Sequence, residues 1–149
     1  MTIRIYAINK LKNGPEQQLF KAYLDRMTWP VKINEIQVKQ GAPSKSQESQ
    51  QILKALKPDD CLILLDETGK NLSTHELLSL ITEIQTQKNK VPAFAIGGAE
   101  GHSDEIRAKA SYAIAFGQQT WPHKLVRVML MEQVYRCQSL AQGHPYHKS

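Results

Sequence analysis

Histidine and tyrosine side chains near the carboxyl terminus have the chemistry that proton transfer and base recognition require. His123 follows a Trp-Pro pair, and the chain ends GHPYHKS over residues 143–149. Imidazole titrates near neutral pH, so His123 and His147 are side chains that can change charge there. Tyr146, with His147 and Lys148 beside it, suits stacking on a nucleobase and contact with phosphate. A purely structural role at the start of a helix would explain His123 equally well.

Two other interpretations of this tail remain open. His144 and His147 are three residues apart, a spacing that a metal ion can bridge, but no cysteine or carboxylate nearby completes a ligand set. We therefore expect no metal site. Disorder is the ordinary state of a chain terminus, so the tail could also lack any binding role.

A glycine-rich segment, Gly97-Gly98-Ala99-Glu100-Gly101, follows a short apolar run. Its spacing does not match the dinucleotide-binding pattern G-x-G-x-x-G, and no phosphate-binding G-x-x-x-x-G-K-[ST] motif occurs in the chain. Glycine permits positive φ and lets the backbone approach a ligand closely. The segment therefore predicts a close backbone contact without specifying the partner.

Composition is that of a single globular domain. The 149 residues include 41% hydrophobic and 22% charged side chains, with no apolar run long enough to span a bilayer and no signal or transit peptide. We expect one cytoplasmic domain over residues 1–149 without a membrane partner. The net charge of +5 favours a polyanionic partner. Cys61 and Cys137 are interpreted as buried, reduced thiols.

Strand-like and helix-like segments alternate along the chain, which predicts an α/β sandwich of five strands and about five helices with a mostly parallel sheet. The run CLILL at residues 61–65 is apolar throughout, as in a strand buried on both faces. Ser73 and Glu76 predict a capping box, and Ser103 predicts another helix start. Residues 40–50 are rich in Gly, Pro, Ser, Lys and Gln and predict a solvated loop or an RNA-contacting arm.

The polar loop after the last strand ends at Pro122, which is predicted to be the first residue of a long helix reaching about Ala141. Ligands of parallel sheets bind at the carboxyl ends of strands, so this loop is a candidate binding site. The helix is apolar on almost every side, and one small domain covers only one side. We therefore expect a second copy to cover the other, giving a homodimer. Glu132 and Arg136 are placed to pair with each other.

Four segments resemble the RlmH family, the ribosomal large-subunit methyltransferases of the SPOUT class. They are IGGAEG at residues 96–101, TWPH at 120–123, LVRVMLMEQVYR at 125–136 and HPYHK at 144–148. The resemblance covers essentially the whole chain, including LKNGPE at residues 11–16. It implies a SPOUT-type fold with a C-terminal trefoil knot, a homodimer, and S-adenosylmethionine as cofactor.

The resemblance also implies an activity, which is methylation of N3 of a pseudouridine in 23S rRNA on assembled ribosomes. It places the cofactor contacts at Leu65, Gly97, Phe116, Gly117, Gln118, Gln119, Thr120 and Trp121. His123, Tyr146 and His147 are the candidates for proton transfer and for holding the base. Two alternatives are a non-catalytic ribosome-associated protein and a methyltransferase of the same fold that acts on tRNA.

Three positions depart from the pattern of the family. Asn9 stands where glycine is usual, Gly117 where serine is common, and Lys148 where arginine is usual. Lysine keeps the charge at position 148 but lacks the planar fork that holds phosphate with two hydrogen bonds. The expected consequence is weaker or less directional phosphate binding, with the reaction class unchanged.

Overall fold

The computed structural model describes residues 1–38 and 44–148, together with the side chains up to Tyr146. The strands of this part of the chain are β1 (Ile3–Ile8), β2 (Val31–Ile36), β3 (Asp60–Asn71), β4 (Val91–Ile96) and β5 (Tyr112–Ala115). The helices are α1 (Pro15–Leu24), α2 (Lys45–Ala55), α3 (Thr74–Thr86), α4 (Asp104–Lys109) and α5 (His123–Gln142), followed by a 3-10 turn, Pro145–Lys148. The predicted alternation of strands and helices is confirmed.

The five described strands form one sheet in the order β2-β1-β4-β3-β5, and every pairing in it is parallel. Leu65 of β3 lies opposite both Ile96 of β4 and Ile114 of β5. The carboxyl ends of these three strands therefore meet at one edge of the sheet. The α/β class with a parallel sheet is confirmed, and the trefoil knot stays a prediction of the resemblance.

Helices cover both faces of the sheet. Buried side chains of α1, α3 and α5, among them Phe20, Ile81 and Leu130, pack against one face. Ile52 of α2 and Ile106 of α4 pack against the other. Burial on both faces explains why β3 and β4 are apolar without alternation.

Helix α2 begins earlier than the sequence indicated. We expected a loop through residue 50, but α2 starts at Lys45, so that part of the prediction is wrong. Ser44 is the N-cap: its hydroxyl accepts a hydrogen bond from the Gln47 N–H, and the Gln47 side chain accepts one from the Ser44 N–H. This capping box was not predicted, because the polar composition of the segment resembles that of a loop. Residues 40–43 of the predicted loop or arm lie outside the described residues.

The polar residues 66–70, for which the sequence suggests a tight turn, are part of β3. The strand leaves β5 after Leu65 and rejoins it at Lys70 with a shifted register. Gly69 permits the return, because a Cβ at that position would lie 2.6 Å from the Ala113 carbonyl carbon. This interruption of the pairing between β3 and β5 resembles a β-bulge, and residues 66–68 lie within it.

Helix α5 starts one residue later than predicted. Pro122 is the N-cap, with φ −55° and ψ 135°, and His123 is the first helical residue. At the other end Gly143 adopts the left-handed conformation, with φ 70°, and closes the helix. The predicted pair within this helix is confirmed, since Arg136 Nε donates to Glu132 Oε1 at 2.9 Å.

Both cysteines are buried and free, as predicted. Burial raises the pKa of the Cys137 thiol to about 12, so this side chain stays protonated and unreactive. Within residues 1–38 and 44–148, no helix combines the length and the apolar character that a membrane span requires.

Candidate functional site

A cleft of about 200 Å³ opens at the edge where β3, β4 and β5 end. Three segments form its walls: the part of β3 at this interruption, the glycine-rich loop after β4, and the loop between β5 and α5. The residues that line it are Leu65, Asp66, Glu67, Ile96, Gly97, Gly98, Ala99, Glu100, Gly101, His102, Arg107, Ile114, Ala115, Phe116, Gly117, Gln119, Thr120, Trp121, His123 and Val126.

Most of the residues that the resemblance assigns to the cofactor are in this lining. Leu65, Gly97, Phe116, Gly117, Gln119, Thr120 and Trp121 contribute to it. Gln118 does not; it lies in the same loop and is exposed. One cleft therefore brings together seven of the eight predicted cofactor positions from three separate segments.

Close packing leaves no room for side chains on the floor of the glycine-rich loop. A Cβ on Gly97 would lie 2.9 Å from the Gly101 carbonyl oxygen, and one on Gly98 would lie 2.8 Å from the Glu48 carboxylate. The Gly101 N–H donates to the Gly98 carbonyl at 3.0 Å, and Gly101 has φ 78°. These contacts answer what the sequence left open: the glycines are required by the neighbouring backbone and by a buried carboxyl group.

Glu48 is buried beneath this loop and was not predicted from the sequence. It belongs to α2 and is 6% exposed. Burial raises the pKa of its carboxyl group, and the negative charge of Glu100 raises it further. A carboxyl group in such a place favours its neutral form, which avoids repulsion with Glu100.

Side-chain hydrogen bonds hold the loop between β5 and α5 in shape. Gly117, with φ 86°, donates its N–H to Asn71 Oδ1 at 3.0 Å. Trp121 Nε1 donates to the Phe116 carbonyl oxygen at 2.9 Å, and Thr120 donates its hydroxyl proton to Glu67. A glycine at position 117 thus suits the positive φ that this loop adopts.

An ion pair crosses one wall of the cleft. Arg107 Nε of α4 lies 2.7 Å from Asp66 Oδ2 at the end of β3. Burial alone would raise the pKa of Asp66, but hydrogen bonds from Thr68 and the charge of Arg107 outweigh it and lower the pKa. Asp66 is therefore an anion whose charge is compensated within the wall.

His123, the first residue of α5, contributes its side chain to the cleft. Burial lowers the pKa of His123 below its ordinary value of 6.5, and the positive charges of Arg127 and Lys124 lower it further. Its Nδ1 is buried and has no hydrogen-bond partner within the described part of the chain. A neutral imidazole with a free nitrogen is available to accept a proton.

Arg127, one turn after His123, anchors the start of α5 to the carboxyl ends of β1 and β2. It is 2% exposed. Its Nη1 lies 2.6 Å from Glu35 Oε2, and its Nη2 donates to the carbonyl oxygens of Ile8 at 3.2 Å and Asn9 at 2.9 Å. These bonds hold the first turns of α5 against the ends of β1 and β2, so they also set the position of His123.

Tyr146 lies away from the cleft, on the flank of α5. Its ring contacts the Tyr135 ring at a centroid distance of 4.7 Å, and its hydroxyl donates to Glu132 Oε1 at 3.2 Å. The Arg136 guanidinium stacks on the same ring at 4.9 Å. A single chain therefore does not bring Tyr146 together with His123, and the predicted role of His147 falls on a side chain outside the described ones.

A second concavity, about 540 Å³, lies between α1, the start of α3 and α5. Leu19, Tyr23, Phe116 and Met129 supply much of its apolar surface, and Leu19 is 49% exposed. Among the described residues there is no cluster of three or more potential metal ligands.

Comparison with known proteins places these features in a family. A family model described as "predicted SPOUT methyltransferase" matches residues 1–147. A "ribosomal RNA large subunit methyltransferase H" from Rhodospirillum centenum is 37% identical over 152 residues, covering 100% of both chains. The protein of that name from Erythrobacter litoralis is 40% identical over 149 residues, covering 100% of this chain and 99% of its own. The one from Oleidesulfovibrio alaskensis is 36% identical and covers 98% of both.

Proposed function

Because the chain belongs to the SPOUT methyltransferases, and among them to the large-subunit ribosomal RNA methyltransferase H (RlmH) family, we propose that it transfers a methyl group from S-adenosylmethionine to N3 of a pseudouridine in 23S rRNA. The proposed substrate is the assembled ribosome, so the protein would act in the cytoplasm. The observation that carries this proposal is the glycine-floored cleft at the ends of β3, β4 and β5.

The cleft suits S-adenosylmethionine in the kinds of groups that it offers. Its backbone N–H and carbonyl groups can hydrogen-bond the adenine and ribose, and Phe116 and Trp121 supply apolar surface. Gly97 and Gly98 line the cleft and carry no side chains that would hold a ligand away from the backbone. Leu65, Gly97 and the loop from Phe116 to Trp121 would hold the cofactor, which when bound supplies an electrophilic methyl group on a sulfonium sulfur.

The chain itself must align the base and remove a proton. N3 of pseudouridine carries a proton that must leave when the new N–C bond forms, so the site needs an acceptor. His123 is proposed as this acceptor, because it lines the cleft and its lowered pKa favours the neutral imidazole. Tyr146 and His147 are proposed to hold the target base. Alignment of the nucleophile at near-attack distance supplies much of the rate enhancement in such displacements.

A homodimer is part of this proposal. The concavity beside α5 is lined by apolar side chains, and Leu125 on α5 is 37% exposed. A second copy seated there would cover the apolar side of α5 that its own domain leaves open. It would also bring the Tyr146 tail of one protomer near Phe116 and Gly117, which line this concavity as well as the cleft.

The first test is transfer of labelled methyl from S-adenosylmethionine to ribosomes that lack the modification, with free rRNA and tRNA in parallel, followed by mass spectrometry of the nucleosides. The expected product is 3-methylpseudouridine, formed with assembled ribosomes only. Label in tRNA alone would favour the tRNA methyltransferase. Ribosome binding without any cofactor binding would favour the non-catalytic protein.

A further inference from the structure

His102 is a buried histidine at the junction of two walls of the cleft. It directly follows the glycine-rich loop and is 2% exposed. Its ring Nε2 lies 3.1 Å from the carbonyl oxygen of Leu65 at the end of β3. Its Cε1 lies 3.3 Å from the position that a Cβ on Gly97 would occupy. The imidazole therefore packs between a strand end and a loop that both line the cleft.

The hydrogen bond to Leu65 determines which ring nitrogen carries the proton. A carbonyl oxygen can only accept, so Nε2 must donate and, in the neutral ring, Nδ1 has a lone pair. Burial lowers the pKa of His102, which keeps the ring neutral, although the charge of Asp66 and the carbonyl groups of Leu65 and Ala95 oppose this effect and Arg107 adds to it. Nδ1 has no hydrogen-bond partner within the described residues.

A buried imidazole nitrogen without a hydrogen-bond partner costs desolvation free energy. An apolar side chain at the same core position would avoid that cost. What the imidazole supplies is a rigid N–H donor directed at Leu65. A carbonyl oxygen has two lone pairs, and His102 occupies one of them. Leu65 itself lines the cleft.

Resting on the proposed function, we propose that His102 is a positioning residue for the cofactor. Through Nε2–H it fixes the Leu65 carbonyl group, and with it the wall of the cleft that the adenosyl moiety would contact. His102 itself does not touch the reacting atoms. It acts on binding of the cofactor and not on the transfer step.

The test is calorimetric binding of S-adenosylhomocysteine to the full chain and to three variants. His102→Leu removes the donor, and its Kd should rise about tenfold, the effect of losing one hydrogen bond to a buried group. His102→Gln retains an N–H at the position of Nε2, and its Kd should stay within about threefold of the unchanged protein. His75→Gln, at an exposed histidine of α3, is the matched control and should bind normally.

The unchanged protein offers an independent measurement that needs no variant. Long-range proton–nitrogen NMR correlations should show the proton on Nε2 of His102 with and without S-adenosylhomocysteine. The Leu65 carbonyl carbon resonance should shift when the ligand binds. A proton on Nδ1, or an unmoved Leu65 resonance in the presence of bound ligand, would overturn the inference.

The outcomes separate this inference from the proposed function. If the unchanged protein does not bind S-adenosylhomocysteine, the cofactor proposal and this inference both fall. If all variants bind as tightly as the unchanged protein, only the role of His102 falls. If His102→Leu binds weakly but reaches the normal transfer rate at saturating cofactor, whereas His102→Gln behaves normally throughout, a positioning role is supported.

Discussion

Asn9 shows how a single residue type can be explained by one backbone angle. It has φ 71°, in the left-handed region that glycine adopts freely and asparagine tolerates better than other residues. Its carbonyl oxygen accepts from Arg127 at 2.9 Å. The resemblance leads us to expect glycine at this position, and asparagine is compatible with the positive φ that the turn adopts. The turn matters to the site because it holds the residue that anchors α5.

Substitution of Asn9 tests this interpretation. Asn9→Ala should lower the free energy of unfolding by about 1 kcal/mol, because a Cβ crowds the backbone at positive φ without the local hydrogen bonding of asparagine. Asn9→Gly should be close to the unchanged protein. Urea denaturation measures both. An alanine variant as stable as the glycine variant would show that the left-handed angle does not govern this position.

The glycine floor leads to a second prediction at the level of one residue. Gly97→Arg should abolish binding of S-adenosylhomocysteine, because even a Cβ there would lie 2.9 Å from the Gly101 carbonyl oxygen and the side chain would fill the cleft. The control is Gly14→Arg, where the nearest atom is 3.7 Å from the added Cβ and the cleft is not involved. Calorimetry on both variants, with circular dichroism to check folding, distinguishes a blocked site from a damaged fold.

The protonation of His123 should be visible in the pH dependence of methyl transfer. Burial, Arg127 and Lys124 lower its pKa below the ordinary value of 6.5, so the neutral imidazole predominates above that pH. If it accepts the N3 proton, the single-turnover rate should fall as pH decreases through that lowered pKa. His123→Asn should remove this inflection and slow transfer by about 100-fold or more. An inflection that persists in the variant would assign the proton to another group.

At the scale of elements, α2 delivers Glu48 and Ser49 to the underside of the glycine-rich loop. The Glu48 carboxylate lies beneath Gly98, and Ser49 Oγ accepts from the Ser103 N–H at 3.0 Å. A helix that begins at Lys45 places both residues within its first two turns. The capping box at Ser44 therefore supports the cleft from a distance.

Removal of that cap is the corresponding prediction. Ser44→Ala should destabilise the protein by about 1 kcal/mol, the usual cost of losing an N-cap hydroxyl. Ser46→Ala lies within the same helix on an exposed face and should be neutral or slightly stabilising, because alanine favours helix interiors. The change in melting temperature relative to the unchanged protein should differ between the two variants in sign or size. Equal effects would mean that the cap does not stabilise α2.

At the scale of the whole molecule, the cleft proposed to hold the cofactor and the tail proposed to hold the base are formed by different parts of the chain. The cleft is formed by residues 65–126, whereas Tyr146 contacts Tyr135 and Glu132 on α5. Tyr146 is not among the residues that line the cleft. A dimer that shares the concavity beside α5 would bring these two parts together, which makes the oligomeric state a requirement of the proposed reaction.

Truncation after Gly143 tests this separation. The shortened protein should bind S-adenosylhomocysteine as the full chain does, because no residue beyond 126 is among those that line the cleft, and it should fail to methylate ribosomes. Tyr146→Phe is the control, since it keeps the ring and removes only the hydroxyl that bonds Glu132. Its activity should be largely retained. Transfer at the normal rate by the truncated protein would exclude a role for the tail.

Local patterns in the sequence determined much of the architecture. Continuous apolar runs predicted buried parallel strands, and Ser73 with Glu76 predicted a capping box that the structure contains. These features depend on neighbours a few residues away, which a sequence displays directly. The same reasoning placed a candidate site in the loop after β5, since ligands of parallel sheets bind at the carboxyl ends of strands.

Only the tertiary structure decided which side chains complete the cleft. His102 bonds Leu65 from 37 residues away, Arg107 bonds Asp66 from 41, and Arg127 bonds Glu35 from 92. The contact of Glu48 with Gly98 likewise joins α2 to a loop two strands later. None of these pairs has a local signature, because each depends on the order β2-β1-β4-β3-β5, which folds distant segments onto one edge of the sheet.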